Sequence, residues 1–235
     1  VSVLCVIPAR GGSKRIGRKN VRDFAGEPML AHALTAVLQS EAFDTVHVST
    51  EDEEISAVAA KYGAPPDFAR PASLGDDHTP IRDVVKAAVA EYAARGRMFD
   101  TVALVYATAV LIEADDLRAA LQAFAAAPEN PLLSVVDAGT PLERLMVEEG
   151  GVLRPVSPGQ FANRSQDLSA AYRDAGAFAV FSAETLRADT DGAQALAFRP
   201  FLLPRWKGVD IDTEEDWRFA EIIKAGLAAV SGEFS

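Results

Sequence analysis

The sequence has little of what several common kinds of site are built from. A single cysteine, Cys5, stands in 235 residues. That excludes an internal disulfide framework and fits a reducing compartment, with Cys5 read as a core thiol. Histidine is scarce as well. His32 falls on a helical pattern and His47 in a strand pattern, neither beside a set of metal-ligand residues, so both read as structural. No apolar run is long enough to cross a bilayer. The first, Val3–Ile7, is short, is followed by Arg10, and has no signal-peptide pattern ahead of it. A cytoplasmic protein without a membrane partner is the expectation. Basic residues are outnumbered, 23 to 34, for a net charge of −11. Such a chain is a poor general binder of nucleic acid or anionic membranes. Two familiar nucleotide loops are missing too. There is no G-x-G-x-x-G, and although Gly12 and Gly17 have Walker spacing, Arg18 and Lys19 follow where Lys and a hydroxyl residue are needed.

What is present alternates short apolar runs with helical patterns. Val3–Ile7, Val46–Ser49, Thr101–Tyr106, Leu132–Val136, Ala177–Phe181, Phe198–Leu203 and Val209–Ile211 read as strands. Helices are expected over 28–39, from 53 to about Gly63, over 81–95 and 113–127, and from Thr213 to about Val230. Thr50-Glu51-Asp52-Glu53 reads as a capping box for the second of these. The rhythm predicts an α/β fold, a mostly parallel twisted sheet with helices on both faces. The length suits one domain carrying an insertion at about 137–171, where the pattern breaks into Gly, Pro and polar residues. That insertion is expected to carry function or a subunit contact. Trp206 and Trp217 read as packing anchors.

Charge is uneven along the chain. Arg10, Lys14, Arg15, Arg18, Lys19 and Arg22 follow the first strand with no acid before Asp23. Gly11 and Gly12 allow the backbone to approach a ligand and turn N–H groups inward. Arg10 can grip phosphate oxygens with its planar fork, and Lys19 can act as a point charge. A cationic loop at the carboxyl end of a buried strand, on an acidic protein, points to a small, highly charged anion. A merely solvated basic loop is the alternative, and Arg15, Arg18 and Arg22 read individually as solvated.

Asp210-Ile211-Asp212 stands near the other end of the chain. Strand alternation would face both carboxylates to one spot and Ile211 to the core. Two hard oxygen donors beside phosphates suit Mg2+. The alternative is that these acids only favour the helix N-terminus that follows, as Glu215 and Asp216 are read to do.

The stretch Ile7–Asn20, together with Arg70-Pro71, Leu74 and Asp76-Asp77, and with Val209–Trp217, resembles the acylneuraminate cytidylyltransferases, or CMP-sialic acid synthetases, over nearly the whole chain. Tyr106–Ala109, Arg164–Leu168 and Tyr172–Gly176 are similar to the members acting on pseudaminic acid. The resemblance implies a three-layer Rossmann-like nucleotidyltransferase fold. It implies transfer of a cytidylyl group from CTP to the anomeric hydroxyl of a nine-carbon 2-keto sugar acid, with pyrophosphate leaving. N-acetylneuraminic and legionaminic acids are alternative sugars, and a catalytically silent nucleotide-binding module is the alternative of another class. The implied CTP site comprises Ala9, Arg10, Gly11, Gly12, Ser13, Lys19, Asn20 and Arg70, with His78 in the same loop region as Asp76. Asp210 and Asp212 would hold magnesium. Arg10 and Lys19 would stabilise the departing pyrophosphate, and Asp212 could accept the hydroxyl proton. Tyr106, Arg164, Gln166 and Asp174 would meet the sugar, whose carboxylate and acylamino groups call for a cation and amide-reading groups. The insertion implies a homodimer.

Overall fold

Leu4, Cys5, Val6 and Ile7 are all fully buried, as a strand covered on both faces requires. Cys5 and Ile7 point into one apolar cluster, Leu4 and Val6 into another on the opposite face. This alternation divides the molecule into layers. The computed structural model describes residues 1–76, 79–188 and 197–233. In chain order the strands are β1 (Val3–Pro8), β2 (Asp23–Phe24), β3 (Glu27–Pro28), β4 (Thr45–Ser49), β5 (Thr101–Val105), β6 (Leu132–Asp137), β7 (Met146–Glu149), β8 (Val152–Pro155), β9 (Tyr172–Ser182) and β10 (Arg199–Leu202). The α-helices are α1 (Met29–Ser40), α2 (Glu53–Lys61), α3 (Ile81–Ala94), α4 (Ala114–Ala125), α5 (Ala183–Ala188) and α6 (Glu214–Glu233).

Six strands form one sheet in the order β10-β6-β9-β5-β1-β4. β9 runs antiparallel to both neighbours, and the remaining pairs are parallel. Helices α1, α2 and α4 pack on the Cys5–Ile7 face through Leu34, Ile55 and Phe124. Helices α3 and α5 cover the other face through Val85, Tyr92 and Leu186. The expected three-layer α/β arrangement is the one observed. Because β9 is reversed, its first residues lie at the same sheet edge as the carboxyl ends of β1, β4, β5 and β6.

A third apolar cluster joins the two ends of the chain. Ile16 and Phe24, from the basic loop and the short β2, pack with Ile211, Trp217 and Ala220. Trp217 meets Phe24 edge-on at 5.4 Å between ring centroids. Thr213 Oγ1 accepts the Asp216 N–H at 3.2 Å, and Asp216 accepts the Thr213 N–H at 2.8 Å, which fixes the start of α6. Trp217 is the packing anchor expected, whereas Trp206 is 36% exposed.

Three local readings need correction. Val209–Ile211 is not a strand. β6 and β9 already have partners on both sides, so this segment lies against them instead: a Cβ on Gly208 would sit 2.7 Å from Val136. The cap of α2 is Asp52, whose carboxylate accepts from the N–H groups of Glu54 and Ile55, and not Thr50. Finally, β9 begins at Tyr172, five residues before the apolar run, because Tyr172, Arg173 and Asp174 pair with Asp137, Val136 and Val135 while staying exposed. A bulge follows, with Gly176 at φ 63°.

The region 138–171 leaves the sheet after β6 and returns at β9. It contains the β7–β8 hairpin, which pairs with no other strand among the described residues. Asp77 and His78 lie outside the described residues.

Candidate active site

Two adjoining cavities of about 250 Å³ and 380 Å³ open where the strand ends meet, and Arg10, Lys19 and Asn20 line both. Arg70, Asp76 and Tyr106 close the first cavity. Ser13, Arg15 and Asp212 close the second. The basic loop and the acid pair therefore share one cleft. Lys19 Nζ donates to the Ile211 carbonyl at 2.5 Å and lies 3.4 Å from Asp212 Oδ1. Arg15 reaches the same carboxylate oxygen at 2.8 Å. The cause is the third apolar cluster: burying Ile16 beside Ile211 brings opposite charges from residues nearly two hundred apart into contact.

The loop is tied internally. Ala9 N–H continues the β1–β4 ladder by donating to the Ser49 carbonyl at 3.0 Å. The Asn20 side-chain amide donates to the Arg10 carbonyl at 2.9 Å, closing the loop on itself. Arg10 donates to the Asp76 carbonyl at 3.0 Å. Gly11 N–H donates to Glu51 Oε1 at 3.1 Å, and a Cβ on Gly11 would run into the Asp52 carboxylate, so this position needs glycine. Gly12 has open space around it. Ser13 N–H turns back to the Gly11 carbonyl at 3.2 Å.

Arg70 is buried, and its Nε donates to Glu51 Oε2 at 2.9 Å. Burial pushes the Glu51 carboxyl up, but the Arg70 guanidinium and the Gly11 N–H outweigh it and hold the group below the usual range. Arg18 pairs with Asp52 and Glu54, and Arg22 with Glu214 while lying 4.4 Å over the Trp217 ring. The three arginines read as solvated are each ion-paired. Glu51 and Asp52 were missed as site residues. Their only signal in the sequence is their position directly after a strand's carboxyl end.

The acids form the opposite wall. Ile211 is fully buried, Asp212 lines the second cavity, and Asp210 is exposed beside it, near enough to Lys19 and Asp212 to feel their charges. Protein crowding around Asp210, then the charges of Asp212 and Asp174, push its carboxyl above the usual range, against the pull of Lys19. The Gly176 bulge makes room here: a Cβ on Gly176 would lie 3.4 Å from Asp210 Cβ. Asp174 accepts the Gly176 N–H at 2.8 Å. Burial, then Asp174 and Asp210, push the Tyr106 hydroxyl up to about 12. Tyr106, Asp174, Asp210, Asp212 and Lys19 are thus one electrostatic unit. Arg164 and Gln166 are not part of it. Both are exposed at the 3-10 turn Ser165–Asp167 in the 138–171 region, and neither lines the two cavities.

Cationic groups that can grip phosphates meet Asp212 in a cleft, with Asp210 close by, and the relatives of the chain match this chemistry. A sequence model of the cytidylyltransferase family matches residues 4–200. The chain belongs to the cytidylyltransferase family. It is 38% identical to a pseudaminic acid cytidylyltransferase of Campylobacter jejuni, over 94% of this chain and 95% of that protein. It is 27% identical to a CMP-N,N'-diacetyllegionaminic acid synthase of Legionella pneumophila, over 93% and 94%. Among solved structures, a CMP:2-keto-3-deoxy-manno-octonic acid synthetase complexed with CTP shares the fold with TM-score 0.70 at 18% identity, covering 96% of this chain and 99% of that one. Cytidylyltransferases take the nucleotidyl group from CTP, so CTP is the donor substrate of this enzyme. No described helix is long and apolar enough to cross a membrane.

Proposed function

We propose that this cytidylyltransferase transfers the cytidylyl group from CTP to the anomeric hydroxyl of pseudaminic acid, a nine-carbon 2-keto sugar acid. The observation that carries the proposal is the meeting of Lys19 and Arg15 with Asp212 in the cleft lined by Arg10 and Asn20. The choice of sugar follows the higher identity to the pseudaminic acid enzyme, 38% against 27% for the legionaminic one.

In the reaction the hydroxyl oxygen attacks the α-phosphorus, the α–β phosphoanhydride bond breaks, and pyrophosphate leaves. Arg10 and Lys19 hold the triphosphate and stabilise the charge that gathers on the leaving group. Asn20 and Arg70 shape the nucleotide cavity with Ala9–Ser13. Asp212, whose Oδ1 faces Arg15 and Lys19, receives the hydroxyl proton on its other oxygen. Tyr106 and Asp174 meet the sugar, whereas Arg164 and Gln166 stand outside both cavities.

The donor set fits magnesium. Among the described residues no three His, Cys, Asp or Glu side chains close round one point, but Mg2+ commonly takes one or two carboxylates and completes its shell with phosphate and water. Asp210 and Asp212 would hold it, and their mutual repulsion is what a cation relieves. When bound, the ion would neutralise phosphate charge. A buried, free Cys5 fits a reducing cytoplasmic setting.

Parallel assays of pyrophosphate release from CTP should show pseudaminic acid consumed at least tenfold faster than N-acetylneuraminic or legionaminic acid, in a magnesium-dependent way. Preference for another sugar would reassign the substrate. Tight CTP binding with no release from any of the three would mean a silent nucleotide-binding module.

The 138–171 region completes a homodimer. Leu145, Met146, Val147, Val152, Leu153 and Val156 are all at least 44% exposed on or beside the β7–β8 hairpin, a concentration of exposed apolar side chains of the kind that marks an interface. Light scattering should give about twice 25.0 kDa, and Leu153→Glu should return the mass to the single-chain value. A wild-type mass of one chain would end the dimer proposal.

A further inference from the structure

Arg18 holds the left-handed backbone conformation, with φ 54°. A residue with a side chain adopts it at a cost and needs outside support to stay there. Its carbonyl accepts from the N–H groups of Val21 and Arg22, both at 3.0 Å, so the turn is closed on the carboxyl side. Its guanidinium crosses to the turn between β4 and α2. There Nη1 donates to Asp52 Oδ2 at 2.5 Å and Nη2 to Asp52 Oδ1 at 3.0 Å, with Glu54 a second partner of Nη2. A two-pronged pair of this kind fixes direction as well as distance. The anchor is itself rigid. Asp52 Oδ1 accepts the Glu54 and Ile55 N–H groups at 3.0 Å each, capping α2, and Ile55 is buried in the core. The residue that follows Arg18 is Lys19, whose ammonium must reach the Ile211 carbonyl and Asp212 across the cleft.

We propose that Arg18 is a positioning residue: its fork on Asp52 holds the left-handed turn that aims Lys19 at the phosphates. It touches no substrate and acts on the rate through Lys19. The inference rests on the reading of Lys19 given under Proposed function.

A double-mutant cycle tests it. Arg18→Gly keeps the backbone conformation accessible, since glycine adopts positive φ readily, but removes the fork. Turnover should fall about 10- to 100-fold, as for a misplaced catalytic group, with KM for CTP within about twofold and the melting temperature unchanged or higher. Asp52→Asn, which keeps an oxygen for the α2 cap, should lower turnover in the same way. Lys19→Met alone should cost about 10²–10³-fold. The variant carrying both Arg18→Gly and Lys19→Met should be no slower than Lys19→Met, because the two act as a unit. Wild-type turnover in Arg18→Gly, or a further loss on top of Lys19→Met, overturns the positioning role while leaving the function of Lys19 standing. Wild-type turnover in Lys19→Met removes the reading of Lys19 and this inference with it.

Discussion

Asp210→Asn should lower turnover by about 10²–10³-fold and cost the fold nothing. Asp212 and Asp174 raise the charge density around Asp210 beside the cleft, and Lys19 counters them there. Like charges held together in this way destabilise the chain until a cation arrives. An amide of the same shape removes part of that repulsion. It also leaves untouched the packing that defines the wall: Ile211 stays in its cluster, and Gly176 still lies against the residue 210 Cβ. The melting temperature without ligands should therefore hold or rise, the trade of stability against activity usual in active sites. Adding CTP with magnesium should stabilise the wild-type enzyme by mass action and the variant much less. Pyrophosphate release and thermal melts, each with and without magnesium, check both halves. Wild-type turnover would remove Asp210 from the metal site. A fall in melting temperature matching the loss of activity would show a structural acid instead.

Much of this site is legible in the sequence because its parts are local. Six basic residues between Arg10 and Arg22, two glycines, and Asp210-Ile211-Asp212 each announce their chemistry within a few positions. The layers were legible for the same reason, since β1 and the helices carry continuous or 3.6-residue apolar patterns. What was not legible depends on pairing at long range. Nothing near Arg18 says that its partner is Asp52, or that Arg15 meets Asp212. The polar start of β9 is a strand because Val135–Asp137 offers it a ladder, not because its residues favour one. Val209–Ile211 fails to be a strand because no ladder beside it is open. The β7–β8 hairpin is a different case. Gly150 and Gly151, at φ 64° and 82°, supply the two positive-φ residues of a tight hairpin turn, a signal present in the sequence. Its exposed flanks lack the alternation that would have made the signal count.

His47→Phe should make the fold markedly less sensitive to acid. His47 is fully buried in β4, and neither ring nitrogen has a hydrogen-bond partner among the described residues. Its ring stacks on Phe68 at 4.2 Å and meets Tyr92 edge-on at 5.6 Å, an environment made for an aromatic hydrocarbon. Burial pushes the imidazole down to about 4, with Asp67 pulling up and Arg95 pushing further down. The unfolded chain binds the proton near pH 6.5. Above that pH the ring is neutral in both states and proton binding favours neither. As pH falls below 6.5 the unfolded state takes up a proton that the folded state refuses, and stability drops until the folded ring also protonates near pH 4. Between pH 7 and pH 5 this amounts to about 2 kcal/mol. Phenylalanine removes the titration and two unsatisfied polar atoms at once, so the variant should also gain at neutral pH. The check is urea unfolding of both proteins at pH 7 and pH 5. Other groups that titrate in this range, His32 among them, cancel in the difference between the two. The advantage of His47→Phe should widen by about 2 kcal/mol at the lower pH, and a pH-independent difference would show that the buried ring finds a partner for its proton.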